Sequence, residues 1–364
     1  MPYDNRQTEK EDQKLIEATM LIKAEHARTG LSGLVGGLDH VIINTEPDRL
    51  GPAVSGLLNT TGLSITEAFE DESVMTRVLK TPDSADFLVT CRKTGANPFR
   101  PFNLAPKAQA LPDTRLETLV FRTADLKKYT ALQKARGIEF MTPDIIHHGN
   151  RLFIQTRPSA FTGISLGFVQ WLGGRGRYRP VNSVSRLQLP KKPDREYLSA
   201  VKHLDHVALR ITAADRTEAI IEFMNLTEYR FDFAIYVRSL NSITSVTRLS
   251  PTDFALVFTS GIPGDQRADD PGPTEQFIRN YGARPHHMAF KTDDIDRVFR
   301  LLKENGQKFL LDLAGSEQEG LKQTFTEPSP DTLLVTEYIH RFGDFDGFFT
   351  KSNVEQLTRA TERQ

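Results

Sequence analysis

Two histidines and a glutamate are spaced so that three strands can carry them to one point. His206 follows Asp205 in Leu-Asp-His-Val, His287 follows His286 in Pro-His-His-Met, and Glu337 interrupts the run Leu-Leu-Val-Thr-Glu-Tyr-Ile. If residues 204–211, 287–292 and 333–341 are strands, alternation sends successive side chains to opposite faces. His206, His287 and Glu337 then share one face, and Val207, Leu209, Met288, Phe290, Tyr338 and His340 take the other. That second set is largely apolar, as a face under helices should be. Two imidazoles and one carboxylate from separate strands leave coordination positions open, the arrangement of non-haem Fe(II) oxygenases.

Each member alone has an ordinary explanation. A His after Asp on a strand is commonly a hydrogen-bonded structural residue, and His40 in the same Leu-Asp-His-Val motif is such a case. Alternation places His286 and His287 on opposite sides, so that pair supplies one ligand. Glu337 is the most informative, because a buried carboxylate needs a cation or donors to offset its lost hydration. An ion pair with Arg341 or Arg210 is its other explanation.

An internal repeat carries these positions. Gly37-Leu-Asp-His40-Val-Ile answers His203-Leu-Asp-His206-Val-Ala, an offset of 206 − 40 = 166. The stretch from Arg115 to Leu126 answers that from Arg284 to Ile295, pairing Thr118 with His287 at 287 − 118 = 169. The stretch from Ile164 to Trp171 answers that from Leu334 to Arg341, pairing Gly167 with Glu337 at 337 − 167 = 170. Three anchors in one order indicate duplication. Because the first copy holds His40, Thr118 and Gly167, a single metal per chain is expected, in the second copy. Each copy alternates strand and helix, as where Thr292-Asp-Asp294 caps a helix that Gly306 closes. This predicts an α+β fold of two tandem domains, each a curled mixed sheet with helices outside.

The expected organisation is an N-terminal helix within 1–30, amphipathic over about 9–28, a first domain over 31–172, a linker over 173–199 and a metal-binding domain over 200–364. The linker begins in the Gly-, Arg- and Pro-rich run from Gly173 to Lys192. With 46 basic and 47 acidic residues and a net charge of −1, the chain has no global basic stripe for a nucleic acid. The single cysteine, Cys91, forms no internal disulfide and fits a reducing compartment. The polar start Pro2–Gln7 and the lack of a long apolar run predict a cytoplasmic chain with no membrane partner. His147 and His148 are expected in a surface loop. The Gly173–Arg177 run lacks the setting of a phosphate loop, no nucleophile elbow is expected, and the acidic stretch Asp265–Asp270 lacks Ca²⁺-loop spacing.

The motifs over roughly 36–362 resemble the vicinal oxygen chelate superfamily (glyoxalase/bleomycin-resistance-like βαβββ repeats) and, within it, the 4-hydroxyphenylpyruvate dioxygenase family. The segments that carry the resemblance are Leu204–Leu209, His287–Ile295, Gln323-Thr-Phe-Thr326, Thr336–Arg341 and Gly347-Phe348 with Asn353. It implies Fe(II) on His206, His287 and Glu337, O2 as cosubstrate, and a 2-oxo acid that is decarboxylated and hydroxylated, with 4-hydroxyphenylpyruvate to homogentisate leading. It also implies Gln323 beside the chelated acid, and Phe325 and Phe348 around an aromatic ring, though simple core packing explains either Phe equally. A gating helix would open from Asn353 with Ser352 and Glu355 as a capping box, and the chain would be a dimer or tetramer. Ser242 fits a pocket serine. The chain departs from the family in carrying His286 where Gln is usual and Val257-Phe-Thr259-Ser-Gly where Pro-Leu-Asn-Glu-Pro is usual. The resemblance thus puts Ser242, Thr259, His286 and Asn353 beside the substrate, with the departures at His286 and Thr259 bearing on which substrate is taken. Related oxo-acid dioxygenases (hydroxymandelate-synthase-like or aliphatic), other metal-dependent relatives and a non-catalytic binding protein are the alternatives.

Overall fold

The computed structural model describes residues 5–180, 183–185, 189–264, 271–345 and 347–364. The acidic stretch Asp265–Asp270 lies outside the described residues, as do Pro2–Asp4 of the polar start. After helix α1 (Asn5–Thr29), the first half runs β1 (Val35–Asn44), α2 (Leu50–Thr60), β2 (Ser64–Glu70), β3 (Val74–Lys80), β4 (Asp86–Arg92), β5 (Arg115–Thr123), α3 (Leu126–Ala135), β6 (Ile146–His148), β7 (Arg151–Gln155) and β8 (Ser165–Trp171). The second half repeats the order with β9 (Val201–Arg210), α4 (Arg216–Leu226), β10 (Arg230–Val237), β11 (Ser242–Arg248), β12 (Ala255–Ser260), α5 (Gly272–Tyr281), β13 (Arg284–Thr292), α6 (Ile295–Glu304), β14 (Ala314–Ser316), β15 (Leu321–Phe325) and β16 (Val335–Arg341), followed by α7 (Lys351–Ala360).

Each half is one eight-stranded sheet. The strand orders are β2-β3-β4-β1-β5-β8-β7-β6 and β10-β11-β12-β9-β13-β16-β15-β14, the same topology twice. Each sheet joins two βαβββ units through an antiparallel central pair, β1 with β5 and β9 with β13, and is parallel where β5 meets β8 and β13 meets β16. The registers repeat as well. Val120 pairs with Gly167 as Ala289 pairs with Glu337, so the positions aligned in sequence are equivalent in space.

Local signals explain the helices. Asp125 and Asp294 each accept a hydrogen bond from the backbone N–H three residues on, capping α3 and α6. Gly137 and Gly306 then take φ +86° and +87° just past the two ends, where a β-carbon is strained. The outward faces of the sheets and the helices from both halves share one apolar core. Phe121 of β5 packs on Phe223 of α4 at 5.8 Å between ring centroids, and Phe87 stacks on Phe290 at 5.7 Å. The Tyr338 hydroxyl donates to Thr60 O at the end of α2, and that of Tyr129 donates to Leu226 O at the end of α4. Val207, Leu209, Met288, Phe290 and Tyr338 lie in this core, as alternation requires.

Several expectations need correction. The helix expected at 9–28 begins by Asn5 and ends at Thr29, with Leu15 in the core. His147 and His148 form the short edge strand β6 rather than a loop. The strand that carries Glu337 starts at Val335, because Leu333 sits in a turn at φ +59°. Thr350, not Ser352, caps the last helix by accepting from Asn353 N. The letters of a nucleophile elbow do occur, in Gly163-Ile-Ser165-Leu-Gly167. Ser165 is the first residue of buried strand β8 rather than the tip of a strand-to-helix turn, so the chemistry of an elbow does not follow.

The linker run is not a mere tether. Tyr178 is fully buried beside His40, with ring centroids 5.0 Å apart, and its hydroxyl donates to Asp39 Oδ1 at 3.2 Å. Arg175 pairs with Asp86 at 3.0 Å. This run therefore fills the first half around the counterpart of His206. Among the described residues no helix is long and apolar enough to cross a membrane.

Candidate metal centre

In the second half, β9, β13 and β16 lie side by side and bring three ligating atoms to one point. His206 Nε2 is 3.1 Å and His287 Nε2 3.2 Å from Glu337 Oε2, and the two nitrogens are 3.3 Å apart. These three residues are the one group of His, Cys, Asp or Glu among the described residues placed to share a metal ion. His206 and Glu337 are almost fully buried, at 0% and 1% exposure.

Three lone pairs cannot converge at such distances in a dry site without a cation between them. Without a metal, a proton on His206 meets this need in part, because Nε2–H donates to Glu337 Oε2. Burial pushes the His206 imidazole down, but the Glu337 carboxylate, aided by Asp205, outweighs it and lifts His206 to about 9. His287 is instead held well below the usual histidine range by burial and by the neighbouring imidazoles. One carboxylate and two imidazoles are a donor set for a divalent transition metal, which takes the place of the extra proton. The residues present fit the group.

The other explanation for Glu337, an arginine partner, does not hold. Arg341 makes a two-pronged pair with Asp205 at 2.6 and 3.1 Å, and Arg210 donates to Pro273 O and Thr361 Oγ1. Asp205 in turn accepts from His206 Nδ1 at 2.8 Å, which directs Nε2 at the centre. Arg341, after the burial that opposes it, and His206 hold the Asp205 carboxyl well below its ordinary range.

The other expected site residues fall into two groups. Gln323 Nε2 donates to Glu337 Oε1 at 2.6 Å, and Asn353 Nδ2 donates to Gln323 Oε1 at 3.0 Å, so α7 is tied to the triad through two amides. Phe325 lies against His287 with centroids 4.7 Å apart, and Phe348 against His206 at 5.5 Å. These four belong to the centre. Ser242 bonds to Thr274 instead, at 3.2 Å, and Thr259 pairs with Arg210 four residues along β9 from His206; neither touches the triad.

His286 departs from simple alternation. A bulge between Pro285 and His287 turns its ring to the same side as His287, with Nδ1 atoms 2.8 Å apart, although its Nε2 reaches Gln364 and not the metal point. Asp205, Phe349 and Gln364 were not singled out from sequence, and Arg341 was named only as a partner for Glu337, whereas it pairs with Asp205. The repeated Asp-His dipeptide was the available signal for Asp205, and Phe349, 5.2 Å from His206, directly follows Phe348. Gln364 carries no comparable signal.

A mutant of 4-hydroxymandelate synthase from Streptomyces coelicolor superposes on 91% of this chain and 99% of its own, with a TM-score of 0.68 at 19% identity. This is the tandem vicinal-oxygen-chelate fold. A xylose isomerase-like TIM barrel/4-hydroxyphenylpyruvate dioxygenase fusion protein shares that fold over 90% of this chain, with a TM-score of 0.62 at 15% identity, and this chain spans about half of it, 52%. No family model matches. Among curated proteins, a 4-hydroxyphenylpyruvate dioxygenase of Pseudomonas aeruginosa is 46% identical over 50 residues, 14% of this chain and 14% of that protein. The vicinal-oxygen-chelate fold met here is thus the one the motifs lead to, and its triad lies on the second of the two repeated sheets.

Proposed function

We propose that this chain is a non-haem Fe(II) dioxygenase that decarboxylates and hydroxylates a 2-oxo acid, with 4-hydroxyphenylpyruvate giving homogentisate as the leading substrate. The observation that carries it is the convergence of His206 Nε2, His287 Nε2 and Glu337 Oε2 at 3.1 to 3.3 Å among buried side chains. Fe(II) bound there supplies a Lewis acid that orients the acid and an electron source for O2. The chain's own groups do the rest. Gln323 and Asn353 fix the Glu337 carboxylate, Asp205 fixes His206, and the rings of Phe325, Phe348 and Phe349 exclude water and form apolar walls. Phe325 and Phe348 stand beside different imidazoles, and the reading assigns them to the two sides of an aromatic acid's ring. A homo-oligomer, dimer or tetramer, in the cytoplasm belongs to the same proposal.

The test is anaerobic reconstitution with Fe(II), followed by addition of 4-hydroxyphenylpyruvate and simpler 2-oxo acids. A weak visible charge-transfer band should form with the acid, and CO2 and either homogentisate or 4-hydroxymandelate should form once oxygen is admitted. The second product is included because 4-hydroxymandelate synthase is a neighbour over its whole length. No band with any acid, or no CO2 afterwards, overturns the proposal.

A further inference from the structure

The residue before each imidazole of the triad holds that imidazole by its far nitrogen. For His206 the direction is fixed, since the Asp205 carboxylate only accepts and Nδ1–H must donate. For His287 it is not fixed locally, because its partner is another imidazole, His286, with Nδ1 2.8 Å from Nδ1. Either ring can be the donor.

The choice is made one step further out. His286 Nε2 lies 2.8 Å from Gln364 Oε1, which accepts, so His286 Nε2–H donates. His286 is buried, and its partners are His287, Gln364, Phe277 and Phe325 with no carboxylate among them, so nothing balances a second ring proton and the ring carries one. Its Nδ1 is then a lone pair that accepts from His287 Nδ1–H. The only ring proton of His287 is thereby placed away from the centre, and its Nε2 lone pair points at His206 and Glu337. A reversed chain would put a proton on His287 Nε2, where a metal must bind.

We propose that Gln364, acting through His286, is the positioning residue that selects the metal-binding tautomer of His287. The inference rests on the metal centre proposed above. Gln364 is itself anchored, since its backbone carbonyl accepts from Lys107 Nζ at 2.6 Å and from Asn280 Nδ2 at 2.8 Å. His286 is wedged edge-on between Phe277 and Phe325, with centroids 5.1 and 5.8 Å away. In the first half the place of His286 is taken by Glu117, which pairs with Arg92, and the place of His287 by Thr118, which has no tautomer to select.

Equilibrium titration with Co(II), read by its d–d absorption, tests this on the full chain. Gln364→Met removes the acceptor and should weaken Co(II) binding by about 10-fold or more, the usual cost of losing a partner behind a ligating histidine. Gln364→Glu restores an obligate acceptor and should return affinity to within a few-fold of the unaltered chain. Melting curves confirm that both variants fold. Equal affinities in all three chains, or equal losses in both variants, overturn the inference alone. Failure of the unaltered chain to bind Co(II) overturns the metal centre and the inference with it.

Discussion

Glu337 occupies in the second half the place that Gly167 holds in the first, each opposite the equivalent residue of the central strand, Ala289 or Val120. Duplication thus left one cavity able to hold a metal and one closed by packing. A β-carbon at Gly167 would lie 2.8 Å from Val120 Cγ2 and 3.0 Å from Phe153 Cε2. Gly167→Ala should therefore destabilise the chain by about 1–3 kcal/mol through overpacking. The urea midpoint checks this; an unchanged midpoint would mean that the first cavity has room.

Metal binding should release a proton. His206, raised to about 9 in the metal-free chain, is protonated at neutral pH, and the metal displaces that proton. Calorimetric titrations at pH 7 in buffers of different ionisation enthalpy should show close to one proton released per metal, and the release should fade as pH rises through about 9. No release at pH 7 contradicts the charge balance described for the triad.

The closed first cavity should show itself in acid. Burial pushes the Asp39 carboxyl up, but the hydrogen bond from His40 and the charge of Arg175 outweigh it and hold Asp39 at about 2 against an ordinary 3.8. Because folding lowers this value, the stability it contributes is present above about 3.8 and lost as pH falls through about 2. The shift corresponds to on the order of 2 kcal/mol. Thermal melts should show Asp39→Asn well below the unaltered chain at pH 6, with the gap closing between pH 4 and 2. A gap that stays constant across that range would show that the Asp39 charge contributes nothing to this stability.

The aromatic walls should read the substrate. Phe348→Ala and Phe325→Ala should each weaken binding of an aromatic 2-oxo acid by about 10-fold or more, in keeping with the loss of a ring contact and its buried area. An aliphatic 2-oxo acid should lose less. Dissociation constants from the charge-transfer band separate the two, and equal losses for both acids would show that the rings shape the pocket without recognising the substrate.

The sequence made the duplicated sheets legible because strand alternation and repeat spacing are local signals. The triad was legible for the same reason: His206, His287 and Glu337 sit on the cavity side of continuous strands. His286 was misplaced because a bulge suspends alternation at Pro285–His287, and the available signal, a proline inside a central strand, was not used. Tyr178 and Gln364 were missed because their partners, Asp39 and His286, lie 139 and 78 residues away in sequence. Contacts of that span follow from the folded topology and not from any pattern along the chain.

The most direct test of the metal centre is the iron content of the chain after anaerobic loading and desalting, compared with Glu337→Gln. The triad predicts one iron per unaltered chain and almost none in Glu337→Gln, with both chains giving the same circular dichroism spectrum. Iron retained at the unaltered level by Glu337→Gln would contradict it.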